Sequence, residues 1–208
     1  MQRFWWAALG ALLLAPMAAG AQAVTKSQRS EGRTEVFGAP IDTLSAAVGY
    51  SNWTGEAAPD IAPGTGFGVN LDLDASQPVD LLVGYEGAVN SITAPGLGND
   101  FNIYSNQIAA GAQVQPFSIA NIEPYVSGSI GLARASVAKN PTLNQQFQSD
   151  TMGVVPLAAG AQYDITNRIA VGAEARWDVL FDNEILTQQN TTDSDRWGIM
   201  LNIGATNF

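Results

Sequence analysis

Glu174, Arg176 and Asp178 form the most chemically distinctive pattern in the chain, because two carboxylates flank one guanidinium at every second position. Residues two apart project from the same face of an extended strand, so these three side chains share one side of the backbone. Opposite charges in that arrangement form ion pairs, and buried charges need such partners to offset the loss of water. The pattern therefore predicts paired charges on one face of a strand.

Histidine and cysteine are both absent from the 208 residues. The lack of imidazole excludes histidine general bases, Ser-His nucleophile pairs and histidine metal sites. The lack of thiols excludes disulfide bonds. We therefore predict no enzymatic activity, no cofactor and no metal site.

In eight segments of about nine residues, an apolar residue recurs at every second position. These segments must position the charged side chains. A strand that crosses a bilayer needs roughly 9 to 11 residues, with apolar side chains toward lipid and small or polar ones toward the lumen. The predicted fold class is all-β, an eight-stranded antiparallel up-and-down transmembrane β-barrel. The apolar faces are Leu44 to Tyr50, Phe67 to Leu73, Val79 to Tyr85, Ile108 to Val114, Val126 to Leu132, Leu157 to Tyr163, Ile169 to Val179 and Trp197 to Ile203.

A secreted soluble β-sandwich or lipocalin-like barrel is the competing interpretation, with the apolar faces turned inward. Its exterior would be rich in Lys and Glu, whereas the polar faces here carry Gly, Ala, Ser, Asn and Gln. Charged residues make up 13% of the chain, compared with roughly 25% in ordinary soluble domains. The polar faces therefore favour the membrane barrel.

The first 23 residues have the features of a secretory signal peptide. Arg3 gives a basic start, Phe4 to Ala15 form an apolar run, and small residues place the cleavage site after Ala21 or Ala23. We expect residues 24–41 to form a polar periplasmic lead-in and residues 42–208 to form the barrel, in the outer membrane of a Gram-negative bacterium. The net charge of −10 argues against nucleic acid as a partner, because phosphates require a basic patch.

Long connections follow the first, third, fifth and seventh strands, and short turns follow the others. The long loops of such barrels face outside. The aromatic residues near this end are predicted to lie at the lipid interface; they are Tyr50, Trp53, Phe67, Tyr104, Trp177, Phe181 and Trp197. The loop acids form a rim that could share divalent cations with lipid phosphates or hold an extracellular ligand; they are Glu56, Asp60, Asp100, Asp150, Asp182, Glu184, Asp193 and Asp195.

The region from Asp42 to Phe208 resembles the small eight-stranded outer-membrane barrels, a family that includes the OmpA transmembrane domain, OmpX and the opacity-type adhesins. Gly172 to Trp177 is similar to their penultimate strand, and Arg196 to Ile203 is similar to the assembly signal of their last strand. The resemblance implies recognition by the barrel assembly machinery. Phe208 is out of phase with Trp197 to Ile203, so we expect Gly204 to Phe208 to form a short tail. The implied assembly residues are Arg196, Gly198, Leu201, Ile203 and Phe208.

Glu86 and Arg176 lie at similar depths in their strands, which predicts a lumen charge network of Glu86, Glu174, Arg176 and Asp178. An eight-stranded barrel is just wide enough inside for side chains, so we interpret the network as a plug. A gated solute path is the alternative. Arg134 occupies the lipid-facing phase at an outer strand end, where it could bind a lipopolysaccharide phosphate.

The predicted function is therefore non-enzymatic, either envelope-structural or adhesin-like at the cell surface. The alternative is a channel or transporter for small or apolar solutes, resembling OmpW. The expected partners are outer-membrane lipid, lipopolysaccharide, the assembly machinery and a ligand of the acidic loops.

Overall fold

The computed structural model of the chain describes residues 34–36, 39–76, 78–94, 101–137, 147–186 and 194–206. Within these ranges a short strand, β1, precedes eight long ones, each antiparallel to the next. The last strand, β9, also pairs with β2, which closes the sheet into a barrel. The predicted fold class is thus confirmed. The strands are β1 Glu35–Val36, β2 Ala39–Trp53, β3 Ile61–Ser76, β4 Val79–Ile92, β5 Asn102–Val114, β6 Ile122–Val137, β7 Asp150–Thr166, β8 Ile169–Phe181 and β9 Arg196–Thr206.

The outer wall of the barrel is a belt of exposed apolar side chains. Val48 and Leu201 face each other across the β2–β9 closure, with 57% and 64% of their surfaces exposed. Ile130 on β6 is 67% exposed. Apolar side chains with more than half of their surface uncovered by protein fit contact with hydrocarbon. No helix in the described part of the chain has the length and apolar character needed to span a membrane.

The strands reach further toward the loop end than the alternation predicted. β4 continues to Ile92 and β6 to Val137. At the opposite end the turns are tight, and Ile119 and Ile122 exchange both backbone hydrogen bonds, at 3.0 and 2.9 Å. Between them Ala120 and Asn121 have φ angles of 50° and 65°, the left-handed pair that a two-residue hairpin turn requires.

The first barrel strand begins earlier than predicted, and the last one ends later. β2 begins at Ala39, three residues before the predicted start of the barrel, and β1 pairs with its first two residues. The predicted tail from Gly204 is wrong, because β9 continues to Thr206 and Ala205 pairs with both Leu44 and Ile169. Backbone pairing on two sides makes this segment strand although its apolar alternation has faded. Phe208 lies outside the described residues.

The hydrophobic core lies inside the outer, loop end of the barrel. Here the inward positions of the strands are apolar and fully buried, and buried residues of the connections pack against them. We call this group the apolar cap; it comprises Trp53, Ala57, Ile61, Ile92, Ala94, Ile103, Ala133, Ala135, Phe147, Met152, Val154, Leu180 and Ile185. The prediction that Trp53 lies at the lipid interface is therefore wrong. Its position on β2 is inward, in phase with Ser51, and only 2% of its surface is exposed.

Candidate functional site

The middle of the lumen contains the charged residues that the sequence singled out. On β8, Glu174, Arg176 and Asp178 alternate with exposed Ala175 and Trp177, so the three charges project inward. Glu174 and Asp178 are buried. The strand period of two is sufficient to place them on one face.

Arg176 reaches across the lumen to the opposite wall. Its guanidinium forms an ion pair with Glu86 on β4, the strand four places away around the eight-stranded ring. The Nε atom also donates to Asp178 Oδ1 at 2.9 Å, and Nη1 lies 3.6 Å from Glu174 Oε1. The structure thus brings together all four residues of the predicted lumen charge network.

Arg196 makes a second crossing, which the sequence analysis did not include. From β9 its Nη2 donates to Asp178 Oδ2 at 2.6 Å and, on the opposite strand β5, to Gln107 Oε1 at 2.7 Å. Its Nη1 donates to Ser105 Oγ, also on β5, at 2.5 Å. The resemblance of the last strand implied only an assembly role for Arg196. The alternation of β9 could have predicted the inward position of Arg196. Arg196 is in phase with inward Gly198 and opposite in phase to Trp197.

Neutral side chains connect the two arginines and complete the hydrogen bonding of the acids. Gln107 Nε2 donates to Glu86 Oε2 at 3.2 Å and to Asp178 Oδ1 at 3.3 Å. Tyr125 donates to Glu174 Oε2 at 2.8 Å and accepts from Asn202. Three acids and two bases are therefore held by paired contacts, as buried charges require. We call the whole set the polar network; its members are Glu86, Ser105, Gln107, Tyr125, Glu174, Arg176, Asp178, Arg196 and Asn202.

Glycine on β3 provides the room for this network. Gly68 lies opposite Glu86 in the β3–β4 pairing, and a Cβ atom there would approach Glu86 Cγ to 2.9 Å. A side chain at this position would therefore displace the carboxylate that receives Arg176. This contact explains a glycine on the inward face of a strand, where glycine is otherwise unfavourable.

Three small cavities border Arg176. Their volumes are about 30, 10 and 20 Å³, and all three have Arg176 in their walls. A water molecule needs roughly 10–15 Å³ of such space. The cavities therefore have room for isolated waters beside the guanidinium.

The connections at the outer end of the barrel are joined to each other by hydrogen bonds. The backbone oxygen of Asp195 accepts the N–H of Thr54 at 2.9 Å, and its carboxylate accepts Leu180 N and Trp177 Nε1 at 3.2 and 3.3 Å. Ser194 Oγ accepts Ala57 N at 2.9 Å. We call this hydrogen-bonded layer the loop platform; it comprises residues 54–60, 147–149, 182–186 and 194–195.

Two of the predicted rim acids have structural roles at this end of the barrel. Asp195 is one, and Asp150 is the other, since its carboxylate accepts the N–H groups of Thr151 and Glu184, both at 2.7 Å. Glu56, Asp182 and Glu184 are exposed. Asp100 and Asp193 lie outside the described residues. Within the described ranges, no group of three Asp or Glu side chains is arranged to hold a metal ion.

The remaining predicted site residues lie on the outside wall or in β9. Arg134 is exposed on β6, in phase with Ile130 and Leu132. Leu201 and Ile203 face outward, at 64% and 58% exposure. Gly198 faces inward, where a Cβ atom would meet the backbone oxygen of Tyr50 at 2.5 Å.

An exposed apolar belt around a closed barrel defines an integral membrane protein that spans the bilayer with strands. The family model for the outer membrane protein beta-barrel domain matches residues 8–205. The chain belongs to this family of outer-membrane barrels.

Solved structures agree with this fold. Neisserial surface protein A aligns with a TM-score of 0.60 at 13% identity, over 79% of this chain and 96% of that one. The N-terminal β-barrel domain of Pseudomonas aeruginosa OprF has a TM-score of 0.52 at 12% identity, over 80% and 98%. Ail, the attachment invasion locus protein of Yersinia pestis, has a TM-score of 0.50 at 14% identity, over 79% and 97%. No curated protein sequence matches the chain.

Proposed function

We propose that this protein is a closed, non-enzymatic outer-membrane barrel with an envelope-structural role, which also presents a rigid acidic surface to the exterior. The observation that carries the proposal is the filling of the lumen at two successive levels. The polar network crosses the middle, and the apolar cap occupies the outer end. An ion or solute passing through would have to displace both.

The polar network favours closure because its members hold each other in place. Two arginines each join opposite walls, and Asp178 accepts from both of them. Breaking one such buried pair leaves an uncompensated charge, at a cost of about 3–5 kcal/mol. A path for solutes would have to pay that cost at each opening, which is unfavourable for a channel that is open at rest.

The apolar cap supports the same proposal through a different mechanism. Its side chains are in contact with each other and with loop residues such as Phe147 and Ile185, both fully buried. Ions enter an apolar constriction only with loss of their hydration. The alternative function, a channel or transporter for small or apolar solutes, requires the cap to open.

The side chains of the chain disfavour enzymatic activity. The chain has no histidine and no cysteine, and the buried acids of the polar network are engaged by arginine, glutamine or tyrosine. Covalent catalysis needs an accessible nucleophile adjacent to a base. In the polar network the Tyr125 hydroxyl lies beside Glu174, but both side chains are buried and the hydroxyl also accepts from Asn202.

Planar-bilayer conductance of the full mature protein tests the closed-barrel proposal. We expect no steady conductance at moderate voltage and physiological salt. A reconstituted open porin serves as the positive control. Regular steps of constant size in the parent protein would contradict the proposal and favour the channel alternative.

The envelope and surface roles can be separated in cells. We expect a deletion strain to become more permeable to a dye that intact outer membranes exclude. A variant with Glu56→Gln, Asp182→Asn and Glu184→Gln should restore the barrier, because these exposed acids lie outside the lumen. The same variant should lose any cation-dependent surface adhesion of the parent. Failure of the parent gene itself to restore the barrier would contradict the structural role.

We also propose export by a signal peptide, residues 1–23, followed by a periplasmic lead-in over residues 24–41, in a Gram-negative host. The basic start, apolar run and small-residue site support this proposal. Amino-terminal sequencing of protein purified from outer membranes should begin at Gln22 or Val24. A first residue of Met1 would contradict the proposal.

A further inference from the structure

The outward and inward faces of the barrel exchange polarity near Arg134. On β6, Ala133 and Ala135 face inward and are buried, whereas Arg134 between them faces outward. On β7, Met152 is likewise buried while Thr151 is exposed. Two residues further into the barrel the outward position is apolar, with Leu132 at 62% exposure. Arg134 therefore lies at the border of the lipid-facing belt.

Among the described residues, Arg134 has no carboxylate within ion-pair distance. Its guanidinium makes one long hydrogen bond, from Nη1 to Thr151 Oγ1 at 3.4 Å, and forms no ion pair within the described residues. Arg176 and Arg196, in contrast, each bind a carboxylate in the lumen. A cation at the edge of hydrocarbon is favourable when an anion is supplied to it, and guanidinium suits phosphate because it offers parallel donors.

A second donor stands beside Arg134. Asn106 on β5 is its direct cross-strand partner, and Thr151 on β7 is its partner on the other side. Directly opposed residues have Cβ atoms about 4.5–5.5 Å apart. Tyr85 on β4 donates to Asn106 Oδ1 at 2.7 Å, which leaves the amide N–H groups of Asn106 as donors. Tyr85 thus acts as a positioning residue for an outward-facing amide.

We propose that Arg134, Asn106 and Thr151 form a binding site for a phosphate group of lipopolysaccharide in the outer leaflet. Three neighbouring strands supply a guanidinium, an amide and a hydroxyl, which together form a donor surface open to the membrane. Charge-assisted hydrogen bonds to phosphate are the strongest contacts available to such a set. The site lies outside the lumen, so it does not depend on closure of the barrel.

Native mass spectrometry of the full mature protein in detergent tests the site. The probes are lipopolysaccharide, the same lipopolysaccharide after enzymatic removal of its phosphates, and phosphatidylglycerol. We expect the parent to retain phosphorylated lipopolysaccharide at least tenfold more than the dephosphorylated form. Phosphatidylglycerol should not displace it.

Two substitutions make the test specific. Arg134→Gln should reduce lipopolysaccharide retention about tenfold, and Tyr85→Phe should reduce it less, since it removes only the hydroxyl that orients Asn106. Arg168→Gln is the matched control, because Arg168 is an exposed arginine in the turn at the opposite end of the barrel. All variants are first checked for the heat-dependent gel shift of a folded barrel.

Equal retention by Arg134→Gln and Arg168→Gln would overturn the site. Equal retention of the dephosphorylated form would overturn the phosphate assignment. Preference for phosphatidylglycerol would overturn lipopolysaccharide as the ligand.

Discussion

The middle of the lumen is filled by charge and its outer end by apolar side chains, although the same eight strands form both levels. Arg176 and Arg196 each cross to the opposite wall in the middle, whereas Ile92 and Ile103 belong to the buried apolar cluster near the loops. Within the bilayer the apolar residues are needed outside, so polar groups remain for the lumen. Beyond its border the barrel has the inward apolar face of a soluble protein. The position of the membrane therefore determines which face of a strand is apolar.

The two levels also differ in how they are anchored. The polar network is formed by strand residues alone, while the apolar cap includes loop residues such as Ala57, Phe147 and Ile185. Damage to the network should therefore affect the whole barrel. Damage to the cap should affect the loop platform first.

The largest expected effect is that of Arg176→Ala. This change leaves Glu86 without its ion pair and removes one partner of Asp178, which should lower the free energy of unfolding by about 3–5 kcal/mol. Chemical denaturation in detergent micelles measures the loss. Arg168→Ala, at an exposed turn, should change the stability by less than about 0.5 kcal/mol.

Coupling identifies the partner of Arg176. Adding Glu86→Gln to Arg176→Ala should restore part of the lost stability, because the buried acid no longer lacks a counter-charge. If the two changes are additive, the ion pair between β4 and β8 does not stabilise the barrel.

Phe147→Ala should have a local effect of intermediate size. The ring is fully buried in the apolar cap, yet it belongs to a connection, and Phe147 forms an isolated bridge with Leu186. Losing about 1.4 kcal/mol of local stability raises the open population roughly tenfold. Limited proteolysis should therefore cleave the extracellular loops about tenfold faster, with little change in global unfolding. A large global loss with no increase in cleavage would contradict the distinction between the levels.

Two neighbours on one face of β5 allow the levels to be compared by small changes in global stability. Ser105→Ala removes the acceptor for Arg196 Nη1 and should cost about 1–3 kcal/mol, since a buried donor is left unsatisfied. Ile103→Val removes one methylene from the cap and should cost about 0.5–1.5 kcal/mol. Urea unfolding of both variants gives the comparison. A greater loss for Ile103→Val would reverse the order proposed for the two levels.

The sequence predicted which face of a strand each side chain occupies. It predicted less well which residues contact each other across the lumen. Glu174, Arg176 and Asp178 share a face because strand periodicity is local. The contact of Arg176 with Glu86, in contrast, depends on the tilt and stagger of strands that are not neighbours in the sheet. Arg196 was assigned by its resemblance to an assembly signal, although its phase already pointed into the lumen.

The apolar cap was missed for a physical reason. Ile92, Ile103 and Met152 lie past the ends of the predicted strands, where the lipid-facing pattern fades and the apolar residues move to the inward face. A pattern search that expects apolar residues outside treats such segments as loops. Trp53 was misplaced in the same way, since an aromatic residue near a strand end also fits the lipid interface.

Conductance of variants that open one level or both tests the central claim, that two closures act in series. We predict no steady current for the parent, for Arg176→Ala combined with Arg196→Ala, or for Trp53→Ala combined with Ile103→Ala, because each retains one closed level. Joining all four substitutions should produce discrete conductance steps. Steady current in the parent, or full conductance after Arg176→Ala alone, would contradict the account.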